Sequence, residues 1–393
     1  MANVVAMTGN EAVGTAMMQI NPDVVAAFPI TPQTELMHKF ADYVADGEVD
    51  TELVLVESEH SAMSAAVGAS SAGARVMTAT SANGFALMWE IVYIAASLRL
   101  PIVMPLVNRA LSGNINIHCD HSDSMGGRDS GWIQIFSENA QEAYDNTIQA
   151  VRIAEHKDVL LPVMPTLDGF ILSHTAEVVE LLDREKVADF IGTYNPLHPL
   201  LDTDNPVTYG PLDLQDFYFE HKRSQIEAMN HAKGVILEVA EEFEKTFGRK
   251  YGLFEEYHMD DAEVAIIVLG STAGTAKHTI DELRKEGIKA GLIKIRVFRP
   301  FPYQELIKAL ENVKVIATLD RSVTFGGFGN PVFTEVRSAL YDSDNRPEVI
   351  DYIYGLGGRD INVAQIRSVY EDMLRVIETG NVENRINYIG LRE

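Results

Sequence analysis

The chain has 393 residues, 46% hydrophobic and 23% charged, which is long enough for two packed domains of ordinary globular composition. Its formal charge of −25 argues against nucleic acid or an anionic membrane surface as the main partner. The single cysteine, Cys119, excludes an internal disulfide framework and any Cys-rich zinc or iron–sulfur motif, so a redox metal must come from another polypeptide.

No basic region followed by an apolar core opens the chain, which argues against a secretory signal. The most apolar stretch, Trp89 to Val107, is broken by Glu90, Arg99 and Pro101 and reads as a helix followed by a strand, with no membrane span. A cytoplasmic chain is expected. Helical periodicity covers Asn10–Ile20, and the apolar run Val24–Phe28 reads as a buried strand stopping at Pro29. Thr31 then fits an N-cap, with Pro32 at the first position of a helix to Ala45. The strand Leu53–Val56 precedes a helix over Glu59–Ala72, whose small residues suit an interface or a tight cofactor wall, with simple helix-on-sheet packing as the plain alternative. Val76–Thr78, a helix over Gly84–Leu98, the strand Ile102–Val107 and a helix over Ala140–Glu155 follow. These strands lack polar alternation, as strands covered on both faces do, so the first domain is a doubly wound parallel sheet.

From Tyr194 to Gly210, prolines among Asp and Asn predict an irregular excursion that wraps over the domain or onto a partner. A long helix, Gln215 to Phe247, leads to a second α/β domain starting near Asp260. Its strands are Val264–Leu269, Lys289–Val297, Lys314–Leu319 and Val349–Ile353, and its last helix is Val363–Glu378. The fold class is α/β, with two doubly wound parallel-sheet domains. The division is 1–235, a linker helix and loop over 236–259, and 260–393.

In open α/β sheets ligands bind beyond the carboxyl ends of the strands. Those ends here carry Thr31, the run Glu57-Ser58-Glu59-His60, the run Thr80-Ser81-Ala82-Asn83-Gly84, and Asn108-Arg109. A hydroxyl, a carboxylate, an amide-rich turn and a guanidinium in one crevice suit a small anionic substrate. Glu59, opening an alanine-rich helix, is poorly placed for hydration, so its carboxyl is expected to titrate high and share a proton with a nitrogen heterocycle. An ordinary first-turn acid is the plain alternative, and Glu57 is the competing carboxylate. Arg109 can hold a carboxylate by two points, or can pair within its loop with Asp120 or Asp123. His118-Cys119-Asp120-His121 has no defined metal-ligand spacing, and a polar loop covering the pocket, flexible at Gly126-Gly127-Arg128-Asp129, is the better reading. Gly270-Ser271-Thr272-Ala273-Gly274 and Gly326-Gly327-Phe328-Gly329 each follow a strand and could cradle phosphate, but neither completes a nucleotide fingerprint and tight turns explain both.

Together these motifs resemble, in order and over essentially the whole chain, the alpha subunit of the 2-oxoacid:ferredoxin oxidoreductases, most closely those acting on pyruvate. The resemblance rests on Pro29-Ile30-Thr31-Pro32, Glu59-His60-Ser61-Ala62, Thr78 to Gly84, Asn108-Arg109-Ala110 and Asp120 to Asp123. Arg128 to Trp132, Arg299-Pro300-Phe301-Pro302 and Leu319-Asp320-Arg321 extend it. Phe28 stands where tyrosine is common and Gln33 where serine is, and neither change touches a proposed catalytic atom.

The resemblance implies a thiamine diphosphate pyrimidine-binding domain over residues 1–235 and a transketolase C-terminal-like domain over 260–393. A Gly-Asp-Gly motif for Mg²⁺ and diphosphate is absent from the sequence, so a beta subunit is expected to supply both, together with an iron–sulfur cluster. Further iron–sulfur clusters belong to a ferredoxin-like delta subunit, beside a gamma subunit. No metal ligand is assigned to this chain. By the same resemblance Glu59 hydrogen-bonds the aminopyrimidine, Ile30, Thr80, Ser81 and Asn83 line the cofactor, and Thr31 and Arg109 bind pyruvate. The implied reaction is reversible conversion of pyruvate and coenzyme A to acetyl-CoA, CO₂ and reduced ferredoxin. Uncharged Thr31 argues against a substrate with a second carboxylate near the reacting carbon. The rivals are a sister enzyme for branched-chain 2-oxoacids or 2-oxoglutarate, a flavin- or nucleotide-binding electron-transfer subunit, and a non-catalytic scaffold.

Overall fold

Parallel strands without polar alternation need helices on both faces, and the chain supplies them in alternation. In the computed structural model, which describes residues 3–392, β1 (Asn3–Thr8) leads into α1 (Gly9–Ile20), then β2 (Val24–Ala27), α2 (Thr34–Ala45), β3 (Glu52–Leu55), α3 (Glu59–Ala72) and β4 (Val76–Met77). There follow α4 (Ala82–Leu87), α5 (Trp89–Ser97), β5 (Leu106–Asn108), α6 (Ser122–Gly126), β6 (Ile133–Phe136), α7 (Ala140–Glu155) and β7 (Val163–Asp168). β8 (Ala176–Leu181) pairs antiparallel with β1, and α8 (Arg184–Ile191) and the 30-residue α9 (Tyr218–Phe247) complete this half.

The first sheet runs β3-β2-β4, and single parallel bridges, Met77 to Val103 and Thr80 to Leu106, join it to β5, β7 and β6. The chain leaves β2 in one direction for β3 and in the other for β4, so the topological switch point lies between β2 and β4. One face buries Met17, Phe40, Tyr144 and Ile148 with Phe243 of α9. The other buries Met63, Phe85, Val92 and Trp132.

The second sheet comprises β9 (Phe254–Tyr257), β10 (Val264–Leu269), β11 (Ala290–Ile295), β13 (Val315–Asp320), β14 (Glu348–Ile353) and β15 (Ile386–Tyr388), in the order β15-β14-β13-β10-β11-β9. Only β9 is antiparallel. Helices α10 (Thr272–Lys285) and α13 (Val363–Thr379) cover one face, and α11 (Tyr303–Ala309) and α12 (Pro331–Leu340) the other.

Several elements differ from the sequence expectation. The strand expected over Lys289–Val297 divides at Arg296. Its guanidinium binds Asn146 Oδ1 (2.8 Å), Gln149 Oε1 (3.1 Å) and Gly252 O (3.0 Å), and the next three residues, β12 (Val297–Arg299), pair with β6 of the first sheet. The helix expected over Gly84–Leu98 starts at Ala82 and divides at Met88. The strand Ile102–Val107 narrows to three residues, because Pro101 and Pro105 have no N–H to give to a ladder. β3, expected to be covered on both faces, is an edge strand whose Leu55 is 74% exposed. The excursion has neither helix nor strand from 193 to 217. It packs Pro196 and Pro199 over Gly73, and Leu200 N donates to Ser71 O (2.8 Å).

Candidate active site

The turn after β2 is closed by Gln33. Its backbone N donates to Ile30 O (2.7 Å), its side-chain Oε1 accepts from Ile30 N (3.1 Å), and its Nε2 donates to Ala79 O (3.1 Å) beside β4. Asn10 Nδ2 holds Pro32 O from below (2.8 Å). This closed turn displaces the helix start. Gln33 occupies the cap position, α2 begins at Thr34, and Thr31 is therefore not an N-cap, nor Pro32 the first helical residue. Thr31 is exposed, with its hydroxyl free of protein partners among the described residues. Gln33 and Asn10 are buried working parts of the turn that sequence reasoning missed.

After β3, Ser58 caps α3 by accepting from Ser61 N (3.2 Å), which places Glu59 at the first helical position facing inward. Glu59 is 6% exposed and its carboxylate has no hydrogen-bond partner among the described residues. Glu57 is the opposite case. It is open to solvent, accepts from Ser61 Oγ (2.7 Å), and that bond holds its carboxyl below the usual range.

Gly84, inside α4, explains how the buried acid fits. A Cβ there would lie 2.7 Å from Glu59 Oε1 and 2.5 Å from Thr80 Oγ1. Thr80 Oγ1 is itself buried with no partner among the described residues. A carboxylate on a buried residue and a buried hydroxyl, neither with a hydrogen-bond partner among the described residues, thus converge beside one glycine, and such groups call for a polar ligand. The other predicted cofactor contacts are engaged differently. Ser81 is buried and donates to Val107 O (2.6 Å), Asn83 is exposed and accepts from Ser112 N and Oγ (each 3.3 Å), and Ile30 is half-buried.

Arg109, at the end of β5, is buried. Its Nη1 donates to Thr31 O (2.8 Å) and its Nε to Asn116 O (3.1 Å), while Nη2 has no partner among the described residues. Thr31 and Arg109 are therefore brought together. Neither expected salt bridge, to Asp120 or to Asp123, forms. Asp123 accepts instead from Arg109 N (2.9 Å). Burial lowers the Arg109 pKa, opposed by the charge of Asp123.

The segment expected to be a polar cover with a flexible glycine end is mostly buried. Cys119, Asp120, His121, Asp123, Ser124 and Gly127 are enclosed, and a Cβ at Gly127 would meet the Phe85 ring at 2.7 Å. His121 Nε2 lies 2.8 Å from Asp168 Oδ1, and Asp168 Oδ2 accepts from Arg321 Nη1 (2.9 Å), Ser271 N (3.0 Å) and Ser271 Oγ (2.5 Å). Burial alone would raise the Asp168 carboxyl. The charges and hydrogen bonds of His121 and Arg321, with Ser271, instead hold it well below its usual range. Cys119, His121 and Asp168 do bring three donor atoms together, but the carboxylate is already shared with a guanidinium.

This hub also settles one glycine turn. The amide after Gly270 serves Asp168, and a Cβ at Gly270 would meet that carboxylate at 2.9 Å. The turn at Gly326–Gly329 is mostly exposed, and the N–H groups that follow it at the start of α12 are taken, because Asp320 accepts from Val332 N (2.9 Å) and Phe333 N (3.0 Å). In both places an internal carboxylate occupies N–H groups that a phosphate would otherwise use.

Two open α/β sheets with these connections are also found in the 2-oxoglutarate:ferredoxin oxidoreductase of Magnetococcus marinus (TM-score 0.74, 22% identity, 94% of this chain and 65% of that one) and in a split-gene transketolase (TM-score 0.58, 13% identity, 94% and 99%). The fold is thus the α/β class that these two enzymes share. Within that class the chain belongs to the pyruvate flavodoxin/ferredoxin oxidoreductase family. The thiamine diphosphate-binding model of that family matches residues 15–241, and pyruvate:ferredoxin oxidoreductase core domain II matches 262–366. The chain is 61% identical to pyruvate synthase subunit PorA of Thermotoga maritima (99% of this chain, 98% of that one) and 47% identical to PorA of Methanocaldococcus jannaschii (100% and 99%). It is 44% identical to ketoisovalerate oxidoreductase subunit VorA of Pyrococcus abyssi (98% and 97%). No helix among the described residues is long and apolar enough to cross a membrane.

Proposed function

We propose that this chain is the alpha-type subunit of a pyruvate:ferredoxin oxidoreductase that converts pyruvate and coenzyme A to acetyl-CoA, CO₂ and reduced ferredoxin, reversibly. The observation that carries the proposal is the convergence of two oxygens without hydrogen-bond partners among the described residues, Glu59 Oε1 and Thr80 Oγ1, beside Gly84. Bound thiamine diphosphate supplies the carbanion chemistry of 2-oxoacid decarboxylation. Glu59 is the residue that gives and takes a proton at a ring nitrogen, and Thr80, Ile30, Ser81 and Asn83 form the wall around that ring. The free hydroxyl of Thr31 and Nη2 of Arg109 bind the carboxylate and carbonyl of pyruvate and orient its 2-keto carbon. Arg109 Nη1, bonded to Thr31 O at 2.8 Å, fixes the spacing of the two.

The site is half of a catalytic centre in this reading. A beta subunit brings Mg²⁺, the diphosphate contacts and an iron–sulfur cluster, because no Gly-Asp-Gly motif occurs in the sequence. Gamma and ferredoxin-like delta subunits, with further clusters, complete the route to ferredoxin. An exposed apolar face beside the half-site supports a partner. Leu87 is 51% exposed, and Trp89, Tyr93 and Ile94 stand exposed along α5. The chain divides into a pyrimidine-binding domain (1–235), a linker (236–259) and a transketolase C-terminal-like domain (260–393).

The 44% identity to a ketoisovalerate enzyme subunit keeps a branched-chain substrate as the second reading. The test is a dye-reduction assay of the co-purified complex with thiamine diphosphate, coenzyme A and each 2-oxoacid in turn. Pyruvate is expected to exceed 2-ketoisovalerate and 2-oxoglutarate in kcat/KM by at least ~10-fold, the lower end of what a pocket achieves for added methylenes. Preference for either alternative would reject pyruvate as the substrate.

A further inference from the structure

Asp123 sits where the two sides of the site meet, and it is almost fully enclosed. Oδ1 accepts from Asn108 Nδ2 (2.9 Å) and Ser124 N (2.7 Å), and Oδ2 from Ala82 N (3.0 Å) and Arg109 N (2.9 Å). Two of these donors belong to the chemistry. Ala82 opens the helix that carries Asn83 and Gly84, directly after Thr80 and Ser81. Arg109 is the substrate-side cation.

Ala82 also has φ +37°, a conformation that a residue with a side chain holds only when its surroundings impose it. The bond from its N–H to Asp123 is one such imposition. All four partners of the carboxylate are donors, so no neutral isostere can replace it. An amide would have to turn its own N–H groups toward one pair of donors. An ionised buried acid is a costly choice, and here burial pushes the carboxyl up to about 6 against its four hydrogen bonds. The far end of the same loop is fixed as well, since His121 N donates to Arg321 O (2.8 Å) of the second domain.

We propose that Asp123 is a positioning residue that locks the Thr80–Gly84 turn and the Arg109 loop in one register, so that the cofactor wall and the substrate cation keep a fixed spacing. The proposal rests on the roles given above to Glu59, Thr31 and Arg109.

The test uses the assembled complex carrying Asp123→Asn, and the double variant Asp123→Asn/Asn108→Asp. In the single variant, KM for pyruvate should rise and kcat fall, with kcat/KM lower by ~10-fold or more, the size of a mispaired charge-assisted hydrogen bond. Amide exchange measured by mass spectrometry should quicken together in the peptides spanning 80–87 and 106–112. In the double variant the introduced amide can face Ala82 N and Arg109 N with its oxygen and donate to the introduced carboxylate at 108. Ser124 N is then left without an acceptor and Ser124 Oγ loses the N–H of Asn108 (3.0 Å in the wild type), so part of the kcat/KM and of the exchange protection should return. Unchanged KM and kcat in the single variant, faster exchange in one loop only, no recovery in the double variant, or failure of both variants to assemble would each overturn the proposal. Wild-type turnover by Glu59→Gln and Arg109→Ala in the same assay would instead reject the underlying site.

Discussion

Gly84→Ala probes the site through a single added carbon. Gly84 lies within α4 without a left-handed φ, so alanine is compatible with the backbone and favours the helix by ~1 kcal/mol. The new Cβ would lie 2.5 Å from Thr80 Oγ1, 2.7 Å from Glu59 Oε1 and 2.9 Å from Glu59 Cγ. Overpacking of this kind costs ~1–3 kcal/mol, so the net loss of stability is small and the melting temperature should move by only a few degrees. Activity should respond far more strongly. Glu59 Oε1 must withdraw by about 0.7 Å to reach the 3.4 Å at which ordinary contact begins, and a shift approaching 1 Å at a reacting group costs on the order of 100-fold. The assay is pyruvate-dependent dye reduction by the purified complex, beside calorimetry and equilibrium dialysis of thiamine diphosphate. A variant that keeps wild-type kcat and cofactor affinity would refute the placement of the chemistry beside Gly84.

Glu59→Gln should lower turnover by at least ~100-fold, as loss of a general acid–base group does, whereas Glu57→Gln, altering a solvent-facing acid, should stay within about twofold. Arg109→Ala removes a buried cation bonded to Thr31 O and should lower kcat/KM by ~30-fold or more, largely through KM; unchanged steady-state constants would exclude a substrate role. Asp168→Asn breaks the ion-pair hub between the two sheets and should destabilise the protein by ~3–5 kcal/mol at neutral pH. The Asp168 carboxyl is depressed below its ordinary 3.8, so its contribution is complete above that value and is lost as pH falls through the lower folded one. The stability gap between wild type and variant should therefore close as pH falls below about 4, as denaturant midpoints measured across that range will show.

Where local signals were complete, the sequence was readable to the residue. Ser58 and Asn139 are side-chain caps, and the helices that they start, α3 and α7, have the expected bounds. The capping box of Asn362 and Gln365 likewise places α13. The start of α2 departs from the local signature of a cap at Thr31-Pro32, because a glutamine bonded to Ala79 O, beside a distant strand, decides the turn. The division at Arg296 is a tertiary event of the same kind, since its partners Asn146 and Gln149 lie about 150 positions earlier. Thr31, Glu59, Thr80 and Arg109 are legible in the sequence as candidates because each ends or follows an apolar strand. Asp168 ends the run Val163–Leu167 and carries the same mark. Asp123 has no such mark. It lies in a run of polar residues, and only the folded chain reveals that its four partners are all donors. Gly84 carried a weak signal, a glycine within a helical pattern, whose meaning depends on what stands opposite.

A density map of the assembled complex with thiamine diphosphate bound is the most direct examination of this scheme. It should show the six-membered ring within hydrogen-bonding distance of the Glu59 carboxylate, flanked by Thr80 and Gly84, and the diphosphate held by another polypeptide. A ring bound elsewhere, or a diphosphate held entirely by this chain, would contradict it.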